Sequence, residues 1–244
     1  MKKKLLLLMI IICVCVFIFS LNKIIMWKQD NNENETTIKE IKDLITEEDL
    51  QIETKKDELI EKLNKLKSQN KDTVAYLKVN NTKIDYPVVQ TNDNKYYLTH
   101  NFNKKANSAG WVFADYHNKY NGKDKNLVIY GHSMLNGSMF GTLRYVLQEK
   151  WYKNKDNHKI LLVTNNTKQY YQVFSTYVID TEDYYINTKF KDNNEFYKFI
   201  TKLKNRSKFN YNVDLKKTDK ILTLSTCYTG GTKRVVLHAK LISE

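Results

Sequence analysis

The chain has 244 residues, 41% of them hydrophobic, and a formal net charge of +13. One proline and seven glycines exclude a collagen-like stalk or a low-complexity linker of any length. Three cysteines are too few for a disulfide-stapled scaffold, so stability has to come from a packed core.

Lys2, Lys3 and Lys4 precede Leu5 to Phe19, a stretch without a charged or strongly polar residue, and Ser20, Leu21, Asn22 and Lys23 lead on to Ile24-Ile25-Met26-Trp27. That is about the length a bilayer requires when Asn22 and Lys23 lie at the outer interface beside Trp27. A cleaved signal peptide needs small residues at its cleavage site, and no A-x-A pattern occurs. Residues 1–27 therefore read as an uncleaved single-pass anchor with a cytoplasmic N-terminus and the rest of the chain outside the cell; a cleaved signal peptide is the rival. Cys13 and Cys15 fall within the span. The exported part then holds Cys227 alone and cannot form an internal disulfide.

Residues 28–72 form a second region. Residues 28–36 are polar and Asn-rich and read as a flexible leash. Ile38, Ile41, Leu44 and Ile45 fall at helical spacing, and Thr46-Glu47-Glu48-Asp49 looks like a helix start with a hydroxyl cap. Leu59, Ile60, Leu63 and Leu66 continue a 3.6-residue period to about Ser68. Two amphipathic helices are expected, their apolar stripes packed on the domain that follows; sustained heptads for a coiled coil are absent.

Charge divides unevenly: +4 over residues 1–27, −4 over 28–72 and +13 over 73–244. Nucleic acid is the usual partner of such an excess. An exported domain, in a chain with only three arginines among 40 cations, points instead to an anionic cell envelope, with plain solubility as the alternative.

The domain 73–244 is mainly β. Strands are predicted at Val74–Val79, Ile84–Val89, Trp111–Ala114, Asn126–Tyr130, Ile160–Val163, Tyr170–Ile179, Ile221–Leu224 and Arg234–Ile242. Pro87 lacks a ladder donor, so its strand belongs at an edge or carries a bulge. Helical patterns run through Met139, Phe140, Leu143, Val146 and Leu147, and from Asn193 to Asn205. Eight short strands with few helices give a closed or nearly closed barrel.

Three of these strands carry reactive groups at their edges. Leu127–Tyr130 runs into Gly131-His132, Ile221–Leu224 leads to Cys227, and Arg234 opens the last strand. Singly, each has an ordinary reading: a small buried hydrophobe, a turn, a solvated edge charge. Together they are a nucleophile, an acid/base and a charge stabiliser. His158 reads as a solvated turn residue, His238 as a core or rim residue on the face of Arg234, and His100 and His117 as loop residues. No paired-ligand spacing, H-E-x-x-H, Walker or dinucleotide pattern occurs, so neither metal nor cofactor is expected. Gly230-Gly231 reads as a flexible loop.

Thr223-Leu224-Ser225-Thr226-Cys227, with Arg234 on the next strand and Tyr130-Gly131-His132 about a hundred residues upstream, resembles the sortase family over roughly residues 73–244. The resemblance implies an eight-stranded barrel. The N-terminal helices, the long helix before the cysteine strand and Asn94-Lys95-Tyr96-Tyr97-Leu98-Thr99-His100-Asn101-Phe102 are similar to class B. It further implies a cysteine transpeptidase on the cell membrane. Cys227 would attack a peptide carbonyl to form a thioacyl-enzyme, His132 would move the protons, and Arg234 would hold the oxyanion or the substrate backbone. Asn94, Leu98, Tyr130, Thr181, Tyr185, Ile186 and Ser225 would line the peptide groove. The substrates implied are surface proteins with an NPxTx-like sorting motif, and the acceptor an amine on a peptidoglycan precursor or another protein. Tyr228 departs from the class B pattern, in which an acidic residue can follow the cysteine. Two readings stay open beside this one: a membrane-anchored cysteine peptidase releasing to water, and a non-enzymatic envelope-binding module.

Overall fold

The computed structural model describes residues 2–46, 48–50, 56–164, 166–180, 182–228 and 232–243; the side chains of Lys2, Lys56, Asp57, Cys227 and Tyr228 lie outside that description. Glu47, Thr181, Gly230 and Gly231, all singled out in the sequence, also lie outside the described residues.

Helix α1 runs from Lys2 to Leu44 without a break. Residues 28–36, expected as a leash, are helical. Asparagine is a poor helix former, but tertiary contacts override propensity. Asn34 Nδ2 donates to Asn107 Oδ1 at 3.2 Å, and Asp30 Oδ2 accepts from the Ser108 amide at 2.8 Å and hydroxyl at 2.6 Å. Further along, Ile41 and Ile45 are buried. Thr46 and Asp49 make the reciprocal bonds of a cap, but they close a turn; α2 starts later and spans Lys56–Gln69. Its Leu59, Leu63 and Leu66 are fully buried, as their spacing predicts.

The eight strands are β1 (Thr73–Val79), β2 (Asp85–Val89), β3 (Phe113–Ala114), β4 (Asn126–Tyr130), β5 (Lys159–Thr164), β6 (Lys168–Asp180), β7 (Ile221–Tyr228) and β8 (Lys233–Ser243). They close into a barrel in the order β1-β2-β3-β4-β7-β8-β6-β5. Helix α2 packs on β1 and β5. Pro87 pairs with Tyr76 of β1, while β2 meets β3 only at Val89, so the proline sits where one side of the strand has no ladder. The Met139–Leu147 pattern is only partly helical. Met139 has φ +51° and bridges to Ser133; a 3₁₀ turn at Leu143–Leu147 and the short α3 (Glu149–Lys153) follow. Helix α4 (Asn193–Asn205) has the predicted bounds, capped by Asp192, which accepts from the amides of Asn194 and Glu195.

Strand parity divides the core into two layers. Val235, Leu237 and Ala239 of β8 belong to the main core with Leu222 and Leu224 of β7. Val236 faces the opposite way, into a layer where Phe174, Tyr177 and Ile221 meet Phe196, Ile200 and Leu203 of α4. Replacing Leu63, fully buried on α2, by alanine should cost about 2–5 kcal/mol. Ile242→Ala, at a half-exposed strand end, should stay within about 0.5 kcal/mol. Urea unfolding of the two variants beside the parent checks both.

Candidate active site

The site follows from strand direction. β4 and β7 are parallel neighbours whose last register pair is Tyr130 with Ser225. His132 and Cys227 each lie two residues further along, so both reach the same end of the barrel. β7 and β8 are antiparallel, and Cys227 is the register partner of Arg234. One sheet edge thus collects all three positions from segments nearly a hundred residues apart.

Beside that edge lies a cleft of about 350 Å³ lined by His132 and Arg234 together with Asn94, Leu98, Tyr130, Tyr185, Ile186 and Ser225. Six of the seven groove residues named in the sequence are therefore brought together, and Thr181 lies outside the described residues. His132 Nε2 is 2.8 Å from the Leu98 carbonyl. A carbonyl only accepts, so Nε2 carries a proton here and Nδ1 is the nitrogen left to exchange one. Arg234 Nη1 donates to the Lys233 carbonyl at 3.1 Å. Lys233 itself is exposed, 3.5 Å from Asp180, and does not line the cleft.

A buried carboxylate holds one wall. Asp115 Oδ2 accepts from Asn94 Nδ2 and from the Tyr130 hydroxyl, both at 2.8 Å. Its Oδ1 accepts from the His117 amide at 2.9 Å and the His117 ring at 2.8 Å. Burial alone would raise the Asp115 pKa; the bonds from His117, Tyr130 and Asn94 outweigh it and hold the carboxyl below its ordinary value. The opposite wall is the 3₁₀ turn Tyr184–Ile186, tied to β7 by the Tyr185 and Ser225 hydroxyls at 2.8 Å. Arg206, at the end of α4, braces that turn through the Tyr184 hydroxyl at 2.9 Å and Glu182 at 3.4 Å.

Asp115, Glu182 and Asp183 were not singled out in the sequence. Asp115 is marked only by its tertiary contact with Tyr130, and Glu182 and Asp183 by lining the cleft just ahead of the Tyr184–Ile186 turn. Gly131 has a local reason: a Cβ there would lie 2.8 Å from the Phe140 ring, so the turn that delivers His132 needs glycine. His238 is fully buried in the second layer, in the position the sequence favoured for it. The Thr223 hydroxyl donates to Asn126 Oδ1 at 2.7 Å, so its oxygen accepts from His238 Nδ1 at 2.8 Å. His238 Nε2 then accepts from the Tyr177 hydroxyl at 2.9 Å. His158 is not the solvated residue expected: it is buried, with Nε2 2.8 Å from the Tyr152 carbonyl, because Trp151, Tyr152 and Tyr211 pack around its ring.

The family model for the sortase domain matches residues 77–242. The chain belongs to the sortase family. It is 36% identical over 239 residues to sortase B of Listeria monocytogenes, covering 93% of this chain and 92% of that one. A Staphylococcus aureus sortase B–substrate complex superposes with a TM-score of 0.75 at 30% identity, over 88% of this chain and 97% of the other. A sortase B complexed with triglycine gives 0.76 at 29% identity, over 88% and 98%. This sortase is accordingly a cysteine transpeptidase with a class B-like barrel. Its α1 is long and apolar enough to cross a membrane. Among the described residues, no group of three His, Cys, Asp or Glu side chains is placed to hold a metal ion.

Burial pushes His238 down to about 3. The unfolded imidazole takes up a proton near pH 6.5 and the folded one does not, so its contribution to stability is fully present above 6.5 and lost as the pH falls toward 3. Denaturation midpoints of the sortase should therefore decline between about pH 6.5 and 4. His238→Gln should flatten that decline in part, since His158 is lowered by burial as well. Parallel slopes for parent and variant would contradict the buried neutral assignment.

Proposed function

We propose that this sortase is anchored in the cell membrane by α1, with its barrel outside. There it cuts an NPxTx-like sorting motif near the C-terminus of surface proteins and passes them to an amine of the cell wall. The observation that carries this reading is the cleft beside the Cys227 position, lined by one imidazole and one guanidinium. The relatives solved with a substrate and with triglycine support a peptide donor and an amine acceptor.

In the proposed mechanism the Cys227 thiolate attacks the carbonyl carbon of the motif's threonine. The tetrahedral oxyanion accepts hydrogen bonds from Arg234, whose guanidinium stays charged throughout. As the C–N bond breaks, the departing amine takes a proton from His132, leaving a thioester. The acceptor amine attacks that thioester and gives a proton back to His132, so an amide forms and the thiolate is regenerated. Asn94, Leu98, Tyr130, Thr181, Tyr185, Ile186 and Ser225 contribute the groove for the motif, Asn94 and Tyr130 being held in place by Asp115.

Product analysis with a sorting peptide, with and without triglycine, tests the assignment. The transpeptidase yields an amine-dependent ligation product; release of the acid alone in both reactions would favour the peptidase. Cys227→Ala should abolish both products. Arg234→Lys keeps the charge but loses the planar two-point donor and should lower kcat/KM by about 10²–10³-fold, as losing one oxyanion donor does elsewhere. Lys233→Ala, on the other face of β8, should leave kcat/KM within a few-fold. The reverse ranking would show that the role has been given to the wrong neighbour.

A further inference from the structure

The turn that follows His132 ends in an exposed leucine. Leu135 is 88% exposed, whereas no other described large apolar residue outside α1 exceeds the 47% of Ile242. A single exposed leucine needs no explanation in itself. This one is presented by a fixed turn: the Gly137 amide donates to the Met134 carbonyl at 3.0 Å, and the Ser138 amide and hydroxyl both donate to Asn136 Oδ1, at 3.0 and 2.7 Å. The next residue touches α1. Asn136 Nδ2 donates to Asn31 Oδ1 at 3.2 Å, and Asn31 Nδ2 donates to the Trp27 carbonyl at 2.8 Å.

That contact fixes the height of the turn. Asn31 lies one helical turn past Trp27, about 6 Å along the axis. The headgroup layer extends about 5–7 Å beyond the hydrocarbon core on each side. The mainly apolar segment from Leu5 to Trp27, with Asn22 and Lys23 in its last two turns, covers about 35 Å of helix, enough to fill the core and end at its outer interface. Residues 28–36 hold the barrel to α1 with no slack between span and domain. The exposed Lys28 follows Trp27 on α1, and the exposed Lys83 reaches the turn, its Nζ donating to the Asn136 carbonyl at 3.1 Å.

We propose that the turn after His132 docks on the bilayer that α1 crosses, with Leu135 inserted at the headgroup–acyl boundary, so that the cleft opens at the membrane surface. The occupant is the lipid surface itself, because the same helix that enters the hydrocarbon carries the turn. The consequence is a barrel with its catalytic end toward the membrane and its β5–β6 turn away from it. β6 ends beside the cleft, opposite Lys233, and its 13 residues run back to Lys168 at the far end. An acceptor amine on a lipid-linked molecule would then meet the cleft without leaving the surface.

The proposal rests on α1 being the anchor, and the test separates the two. Full-length protein with Cys13→Ala, Cys15→Ala and Cys227→Ala is reconstituted in vesicles of phosphatidylcholine and phosphatidylglycerol. Single nitroxide labels are placed through Leu135→Cys, Asn166→Cys or Ile12→Cys, and collisions with oxygen and with a water-soluble nickel complex are compared. The label at 135 should report a position at the headgroup–acyl boundary, shielded from nickel, with 166 in water and 12 in hydrocarbon. If 135 is as accessible to nickel as 166 while 12 stays in hydrocarbon, docking is wrong and the anchor stands. If 12 is accessible to nickel, both are wrong.

Discussion

Everything the site needs depends on β4 and β7 being parallel neighbours. A parallel pair has both C-terminal ends at one edge, and adjacent parallel strands require a long crossover to bring the chain back. Here that crossover holds α3, β5, β6 and α4. It returns β7 beside β4 in a register that opposes Tyr130 and Ser225. The imidazole position and the thiol position leave the sheet together as a result, and the antiparallel step into β8 supplies the guanidinium opposite the cysteine. Were β7 to run antiparallel to β4, His132 and Cys227 would sit at opposite ends of the barrel.

The cleft walls depend on polar groups that have been taken out of water and paired. Asp115 accepts four hydrogen bonds, two of them from the groove residues Asn94 and Tyr130, and together these offset the desolvation of its charge. In the layer behind the Tyr184–Ile186 wall, a chain of bonds runs from Asn126 through Thr223 and His238 to Tyr177. The second bond of that chain fixes the tautomer of a histidine that does not line the cleft. His132 differs in kind: it is half-exposed, on a turn, and bonded to the Leu98 carbonyl. The proton carrier proposed here thus stands in the more accessible of the two settings.

The strands were legible because each is a short apolar run with turn residues on either side, and all eight predicted runs are strands. The three proposed catalytic positions could be named because each lies where such a run meets polar residues, in an order that resembles the family's. What was lost has physical causes. Residues 28–36 look like a leash by composition, and only the barrel loops that receive Asp30, Asn31 and Asn34 make them helical. Met139 continues an apolar pattern, yet its positive φ and its bridge to Ser133 belong to a turn. Asp115 carries no local sign of its role, since its partners lie on three different segments. His158 looked solvated because its neighbours in sequence are Asn and Lys, whereas its neighbours in space are aromatic.

The central claim is that this sheet edge makes Cys227 the acyl carrier. Mass spectrometry of the intact protein, mixed with a panel of NPxTx peptides and quenched in acid within one turnover, tests it most directly. The account predicts a mass increase equal to the acyl portion of one peptide, mapped to Cys227 after digestion and discharged by added triglycine. A peptide that is cleaved with no adduct on Cys227 at any time, or with the acyl group on another residue, would contradict it.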